Sequence, residues 1–201
     1  MGQDEERAVD TVSGWRVLLP PGWSTFPTEP EAARKAISSF LDRVFEGKPR
    51  DELAPARIEL DRALRQQARE AAKAGARYLH ALTRPIRGLP VSATMLAVPV
   101  QSGNPDELAS ALSHVLGAAS GVVENGHVDA GDLPALRRVR REPIALGGAP
   151  DDPEQMATHV DYVVLLPDQS LLVLAFSTMT EPVHRELVVL FDAIAGSLHA
   201  I

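Results

Sequence analysis

Residues 156–201 constrain the fold of this chain most strongly. Two apolar runs rich in β-branched residues, 163–166 and 171–176, flank the turn 167–170, whose Pro, Asp and Ser are typical of a tight hairpin. Neither run alternates polar and apolar residues, as a half-solvated strand would. The pattern therefore predicts two antiparallel strands that are covered on both faces and lie centrally in a sheet.

A final helix is predicted directly after this hairpin. Apolar residues recur there at steps of three and four, with Thr180 as the expected N-cap and Pro182 in the first turn. Such a helix buries its apolar stripe by lying across the hairpin. Val188 and Val189 of this helix can meet either another core layer or a second copy of the chain, so a homodimer stays an open alternative.

The earlier part of the chain adds strands and helices by the same criteria. We predict a strand at 12–19, helices from Pro30 to before Gly47 and at 51–74, strands at 76–83 and 89–100, a helix at 105–116, and strands at 122–128 and 133–146. Trp23 and Phe26 fall in a predicted loop, and Asn125-Gly126 is a candidate turn.

The order of these elements predicts an α+β fold. Consecutive strands joined by short turns form a mostly antiparallel β-sheet of about six or seven strands, flanked by helices on both faces. Residues 1–10 are predicted to be a flexible N-terminal tail, and residues 11–201 a single α+β sandwich domain.

Composition excludes several classes of function. The net charge is −7 and the pI about 5.4, which argues against nucleic-acid binding because that depends on a basic field. The chain has no cysteine, so thiol catalysis and thiolate metal sites are absent. Without a signal peptide or a run of roughly 20 apolar residues, a cytoplasmic location is expected. Arginine far outnumbers lysine, a bias that suggests a GC-rich bacterial genome.

Three local patterns resemble the PsbP and Mog superfamily of α/β/α sandwiches. They are the strand that runs into Pro20-Pro21-Gly22-Trp23, the hairpin that ends in Phe176-Ser-Thr, and the final helix with its F-x-x-I-x-x-S-L ending. The resemblance suggests a bacterial branch of this superfamily. It implies the sandwich fold and a mainly non-enzymatic binding or scaffolding repertoire, and it implies no functional residue.

The run of four arginines at 137–141 is the most unusual chemical feature. In a strand, Arg138 and Arg140 point to one face and the other two arginines to the opposite face. Arg141 is expected opposite Asp161 in a cross-strand ion pair, which is the structural explanation. Alternatively, Arg138 and Arg140 engage an acidic partner or a phosphate, because guanidinium groups fit such anions.

The remaining candidate site residues are aromatic. Trp15, Trp23 and Phe26 can line a pocket or an interaction patch, although aromatic residues near turns more often fix a loop to the core. None of the six histidines has a strong metal-ligand spacing, and His127-x-Asp129 and His159-x-Asp161 are weak pairs. No metal site and no cofactor are predicted.

The sequence therefore favours a non-enzymatic protein-binding or scaffolding module of the bacterial cytoplasm. Neither a P-loop, a nucleophile elbow nor a dinucleotide fingerprint is present. Two alternatives remain open. One is a carrier or sensor that encloses a small apolar ligand near Trp23 and Phe26, and the other is an enzyme whose active-site residues are dispersed along the chain.

Overall fold

A seven-stranded antiparallel sheet forms the centre of the fold. The structure is a computed structural model that describes residues 7–11, 14–47, 50–100, 120–144 and 155–201. The predicted helix at 105–116 and the loop at 147–154 lie outside these residues. None of the helices in the described ranges is long and apolar enough to cross a membrane.

Ten strands and three α-helices occur in these ranges. The strands are β1 (Arg7–Thr11), β2 (Trp15–Leu19), β3 (Trp23–Pro27), β4 (Tyr78–Leu82), β5 (Ala93–Val100), β6 (Val122–Ala130), β7 (Leu133–Ile144), β8 (Gln155–Leu165), β9 (Leu171–Thr178) and β10 (His199–Ala200). The helices are α1 (Pro30–Val44), α2 (Arg50–Lys73) and α3 (His184–Ala195), the last preceded by a 3₁₀ turn, Glu181–Val183.

The main sheet has the strand order β3-β4-β5-β9-β8-β7-β6. The predicted hairpin is confirmed as β8 and β9, which pair from Leu165 with Leu171 to Thr158 with Thr178. Both strands are interior, as their unbroken apolar runs predict. A second, three-stranded sheet has the order β1-β2-β10.

Helices cover both faces of the main sheet, so the predicted α+β fold class is confirmed. On one face, α3 and β2 close a core in which the Phe191 ring stacks on Phe176 at a centroid distance of 4.9 Å, and Tyr162 meets Phe176 edge to face. On the other face, α1 and α2 close a second core around Phe26, Ile37 and other apolar residues over β3 and β4. Aromatic pairs of this kind contribute about 0.5–1.5 kcal/mol beyond the area they bury.

Four local predictions are wrong. The strand β1 begins at Arg7, inside the predicted flexible tail, because β2 supplies its backbone hydrogen bonds. Residues 23–27 form β3 rather than a loop, since they pair with β4 some fifty residues later. The Asn125-Gly126 pair lies within the continuous strand β6 and makes no turn. Finally, the predicted first strand does not join the main sheet but pairs with β1 and β10.

Candidate functional site

A groove of about 630 Å³ opens between the helical layer and one end of the main sheet. Helices α1 and α2 form its side wall, the ends of β4 and β5 its floor, and the segment between β9 and α3 its far rim. Its lining is formed by Phe40, Val44, Leu60, Ala63, Leu64, Gln67, Ala81, Leu82, Thr83, Pro90, Val91, Ser92, Ala93, Thr94, Gln155, Met179, Thr180, Glu181 and Pro182. Binding sites are typically concave, mainly apolar and of about 300–1,000 Å³, so this groove is our candidate site.

The helical wall of the groove contains buried apolar residues and, beside them, a partly exposed leucine. Phe40 is held from behind by Phe26, whose ring it meets edge to face at 5.4 Å. Leu64 is buried, with 4% of its surface exposed, whereas Leu60, about one turn earlier on the same helix, is 36% exposed. Both leucines belong to the apolar stripe of α2. Leu60 therefore presents to the groove an apolar surface of which about a third is exposed.

Hydrogen bonds fix the opposite rim. The Ser92 backbone N–H donates to Thr180 Oγ1 at 2.8 Å, and Gln155 Nε2 donates to the Met179 carbonyl at 2.7 Å. The prediction that Thr180 caps the final helix is wrong: Thr180 precedes the 3₁₀ turn without a side-chain capping bond, and Val183 is the N-cap residue of α3. A rim already ordered in this way reduces the entropy that binding would have to remove.

Glu181 is the one ionisable side chain among the described residues that line the groove. A hydrogen bond from the Arg141 guanidinium lowers the pKa of its carboxyl group, so Glu181 is ionised at neutral pH. No histidine, lysine or second carboxylate joins it in this lining. A single carboxylate that is already paired with arginine is a poor general acid or base, because proton transfer needs a group poised near the working pH.

The arginine run lies on β7 and divides between the two sheet faces as predicted. Arg137 points to the α3 side, where its Nε and Nη2 donate to the two carboxylate oxygens of Asp192 at 2.7 and 3.1 Å. The Tyr162 hydroxyl donates to the same carboxylate, and burial together with this bond raises the tyrosine pKa. Arg137 also donates to Glu124 on β6. These contacts fasten α3 to the sheet.

The predicted pairing of Arg141 with Asp161 is wrong. Arg141 lies opposite Thr158, and Arg138 lies opposite Asp161. Arg138 Nη2 donates to Asp161 Oδ2 at 2.8 Å, and Arg140 Nε approaches the same oxygen at 3.4 Å. The pair of side chains is buried, with 6% and 9% of their surfaces exposed. An outside anion thus has little access to Arg138, although its Nη1 is buried without a hydrogen-bond partner in the described structure.

His159 lies beside this pair, opposite Arg140. Its Nε2 is 3.0 Å from Glu142 Oε1. Burial, and next the charge of Arg140, lower the pKa of His159, and they outweigh the opposite effects of Glu142 and Asp161. The imidazole is therefore neutral at neutral pH, so the contact with Glu142 is not an ion pair there.

The three aromatic candidates divide between the two cores. Trp15, on β2, is 1% exposed and belongs to the core beneath α3, against which the partly buried Trp23 also packs. Phe26 is 2% exposed and belongs to the other core. None of the three lines the groove. Phe26 contributes indirectly, because it supports Phe40.

The weak histidine pairs do not assemble a metal site in the part of the chain that is described. There, no three or more His, Asp or Glu side chains converge as ligands for an ion. The burial of His80 was not predicted from the sequence, yet this side chain is 1% exposed. Its Nδ1 lies 3.0 Å from Thr25 Oγ1, and burial lowers its pKa to about 4. The signal was present in the run Leu79-His80-Ala81-Leu82, where a histidine sits inside a predicted strand.

The groove itself was also missed. Its residues come from six separate stretches of the chain, and none forms a recognisable motif. Leu60 and Leu64 carry a usable signal, because they belong to the thin apolar stripe of a helix whose other positions are mostly charged.

The fold defines the chain as an α+β sandwich, and its groove has the form of a binding site. No protein-family model matches the chain, and no curated protein matches it. Among solved structures, it is similar to the Ran-binding protein Mog1p of Saccharomyces cerevisiae, determined at 1.9 Å resolution. The two are 11% identical over 98% of this chain and 96% of that chain, with a TM-score of 0.48. No residue, partner or activity of Mog1p is carried over to this chain.

Proposed function

We propose that this chain is a non-enzymatic binding module whose groove receives an apolar segment of a partner protein. The observation that carries this proposal is the open, mainly apolar groove with Leu60 exposed along its wall. Peptide segments bind such grooves by inserting a few apolar side chains while the rim contacts the backbone. Gln67, on α2, and Ser92 add polar side chains to the lining, which are suited to hydrogen bonds with a partner's backbone.

The character of Glu181 supports a binding role over a catalytic one. The described groove offers one paired carboxylate and no second proton-transfer group. At the rim, this carboxylate is suited to a basic residue that flanks the apolar segment of the partner. A bacterial, cytoplasmic setting and direct binding roles for Trp15, Trp23, Phe26, Arg138 and Arg140 remain predictions from the sequence.

A small apolar ligand is the second candidate, because the groove volume falls within the range of small-molecule sites. The two candidates differ in what accompanies the protein. Native mass spectrometry of the protein purified from its own host, beside a denatured sample, gives an added protein mass in the first case and a low-mass component in the second.

A pair of matched variants links either result to the groove. Leu60→Asp places a charge in the groove wall, whereas Ile58→Asp places one on the same helix at a side chain that is 60% exposed and does not line the groove. Both positions are exposed, so both variants should fold, which circular dichroism checks. We expect Leu60→Asp to lose the bound mass and Ile58→Asp to keep it. Retention of the mass by both variants would show that the groove is not the site.

A further inference from the structure

The strand β6 is long and forms one edge of the main sheet in the part of the chain that the structure describes. It pairs with β7 on one side, and no described strand lies on the other. Its side chains from Val122 to His127 are all exposed, and Val123 is 56% exposed. Because neighbouring strands exchange backbone hydrogen bonds, an edge strand leaves a row of N–H and C=O groups available for another strand.

The opposite edge of the same sheet is better protected. There, β3 is five residues long and ends at Pro27, which has no backbone N–H to donate. Phe26 of this strand is buried beneath α1. By contrast, β6 is nine residues long and contains neither proline nor lysine, the residues that commonly block edge pairing.

Most of β6 is regular enough to serve as a template. Its register with β7 shifts once, between Val122 and Glu124, and is then continuous from Glu124 to Ala130. Seven residues in regular register present a ladder of about 24 Å at the usual rise per residue. This length suits a short extended segment of another chain.

The charge at this edge indicates what kind of segment fits. Glu124, Asp129 and Asp132 are exposed. Glu124 is bonded to Arg137, whereas Asp129 and Asp132 have no ion pair within the described residues. A second copy of this chain would bring the same acidic groups and a second net charge of −7 to the edge, which disfavours self-pairing. A basic segment has the complementary charge.

We propose that β6 binds an extended, basic segment of a partner protein as an additional strand of the sheet. Backbone hydrogen bonds along residues 124–130 provide affinity, and alternating side chains provide specificity by contacting exposed residues such as Asp129. This site is independent of the groove, because α1 and α2 lie over β3 and β4 at the other end of the sheet. Failure of one proposal therefore does not affect the other.

The test uses a short synthetic peptide of alternating lysine and valine as the probe. Hydrogen exchange of the full chain, followed by mass spectrometry, should show slower exchange at residues 122–130 when this peptide is added. Two control peptides isolate the causes. One carries the same side chains with every backbone nitrogen methylated, so that neither edge of the peptide can donate to β6, and the other replaces lysine with glutamate. Neither control should protect β6.

Two exposed-site variants complete the test. Asp129→Lys should weaken binding of the lysine–valine peptide by about fivefold at low salt, the upper range for one exposed charge contact. Arg185→Glu, on α3 and away from this edge, should leave binding unchanged. Equal binding of the methylated peptide, equal binding of the glutamate peptide, or no effect of Asp129→Lys would overturn the proposal. Concentration-dependent protection of β6 without any peptide would also overturn it, because a second copy would then be the occupant.

Discussion

The buried pair of Arg138 and Asp161 should be a major determinant of stability. Asp161→Asn removes the charge with almost no change in side-chain volume, so Arg138 and Arg140 lose their shared carboxylate. Since 6% of the Arg138 side chain and 9% of the Asp161 side chain are exposed, solvent can screen this loss very little. Removing one partner of a buried pair costs about 3–5 kcal/mol of unfolding free energy. With a urea dependence of about 3 kcal/mol/M, the midpoint should fall by about 1–1.7 M.

Urea unfolding followed by circular dichroism measures this loss. Asp42→Asn is the matched control, because Asp42 pairs with Arg57 at the surface, where 67% and 38% of the side chains are exposed. Such pairs contribute about 0–1 kcal/mol, so the control should barely move the midpoint. Comparable midpoints for the two variants would refute the reasoning.

A double variant separates the charge from the shape of this site. Replacing both partners, as Arg138→Met with Asp161→Leu, leaves no uncompensated charge between them and fills a similar volume. Replacement of a buried pair by apolar residues is often close to neutral. We therefore expect the double variant to be more stable than Asp161→Asn alone. A double variant less stable than the single one would contradict the assigned cause, because packing rather than charge would then dominate.

Two further predictions concern a histidine and a glycine. Burial lowers the pKa of His80 from 6.5 to about 4, so the unfolded state binds more protons between these two pH values. The free energy of unfolding should therefore fall by up to roughly 3 kcal/mol as the pH drops through this window. The variant His80→Gln should flatten the dependence of the urea midpoint on pH, and an unchanged slope would contradict the prediction. Gly131 has φ +61°, and an added Cβ would lie 1.8 Å from the Leu198 carbonyl oxygen. Gly47 has a similar φ of +71° but open space around it, so Gly47→Ala should cost about 1–2 kcal/mol. Gly131→Ala should lower the Tm far more than Gly47→Ala, and equal losses would rule out the contact as the cause.

Local sequence patterns predicted the elements that carry a clear apolar pattern of their own. The hairpin of β8 and β9 and the helix α3 have continuous or periodic apolar residues, and their type does not depend on distant parts of the chain. The strand β3 was missed for the opposite reason. Its five residues include Ser24 and Thr25, and it becomes a strand because β4 supplies the hydrogen bonds. No local pattern reports such a distant partner.

The register of β7 against β8 shows where prediction of the site failed. Alternation along one strand correctly assigned Arg138 and Arg140 to one face. Pairing across the hairpin depends on where its centre lies, and a shift of three residues exchanged Arg141 for Arg138 as the partner of Asp161. Because side chains alternate with a period of two, an odd shift also moves the partner to the other face. The groove could not be predicted at all, since its lining residues are far apart in the sequence and meet only in the folded chain.

The strand β10 sets the order in which this chain can finish folding. It pairs with Trp15 and Arg16 of β2, and the Leu18 backbone N–H donates to Ser197 Oγ across almost the whole length of the sequence. During synthesis, β2 leaves the ribosome long before β10, so it must wait for this second neighbour until residues 199–200 have emerged. Contacts between such distant residues are slow to form, because the intervening chain must first be ordered. The core around Trp15 should therefore close late, and the nascent chain should expose this tryptophan until α3 and β10 have emerged and packed.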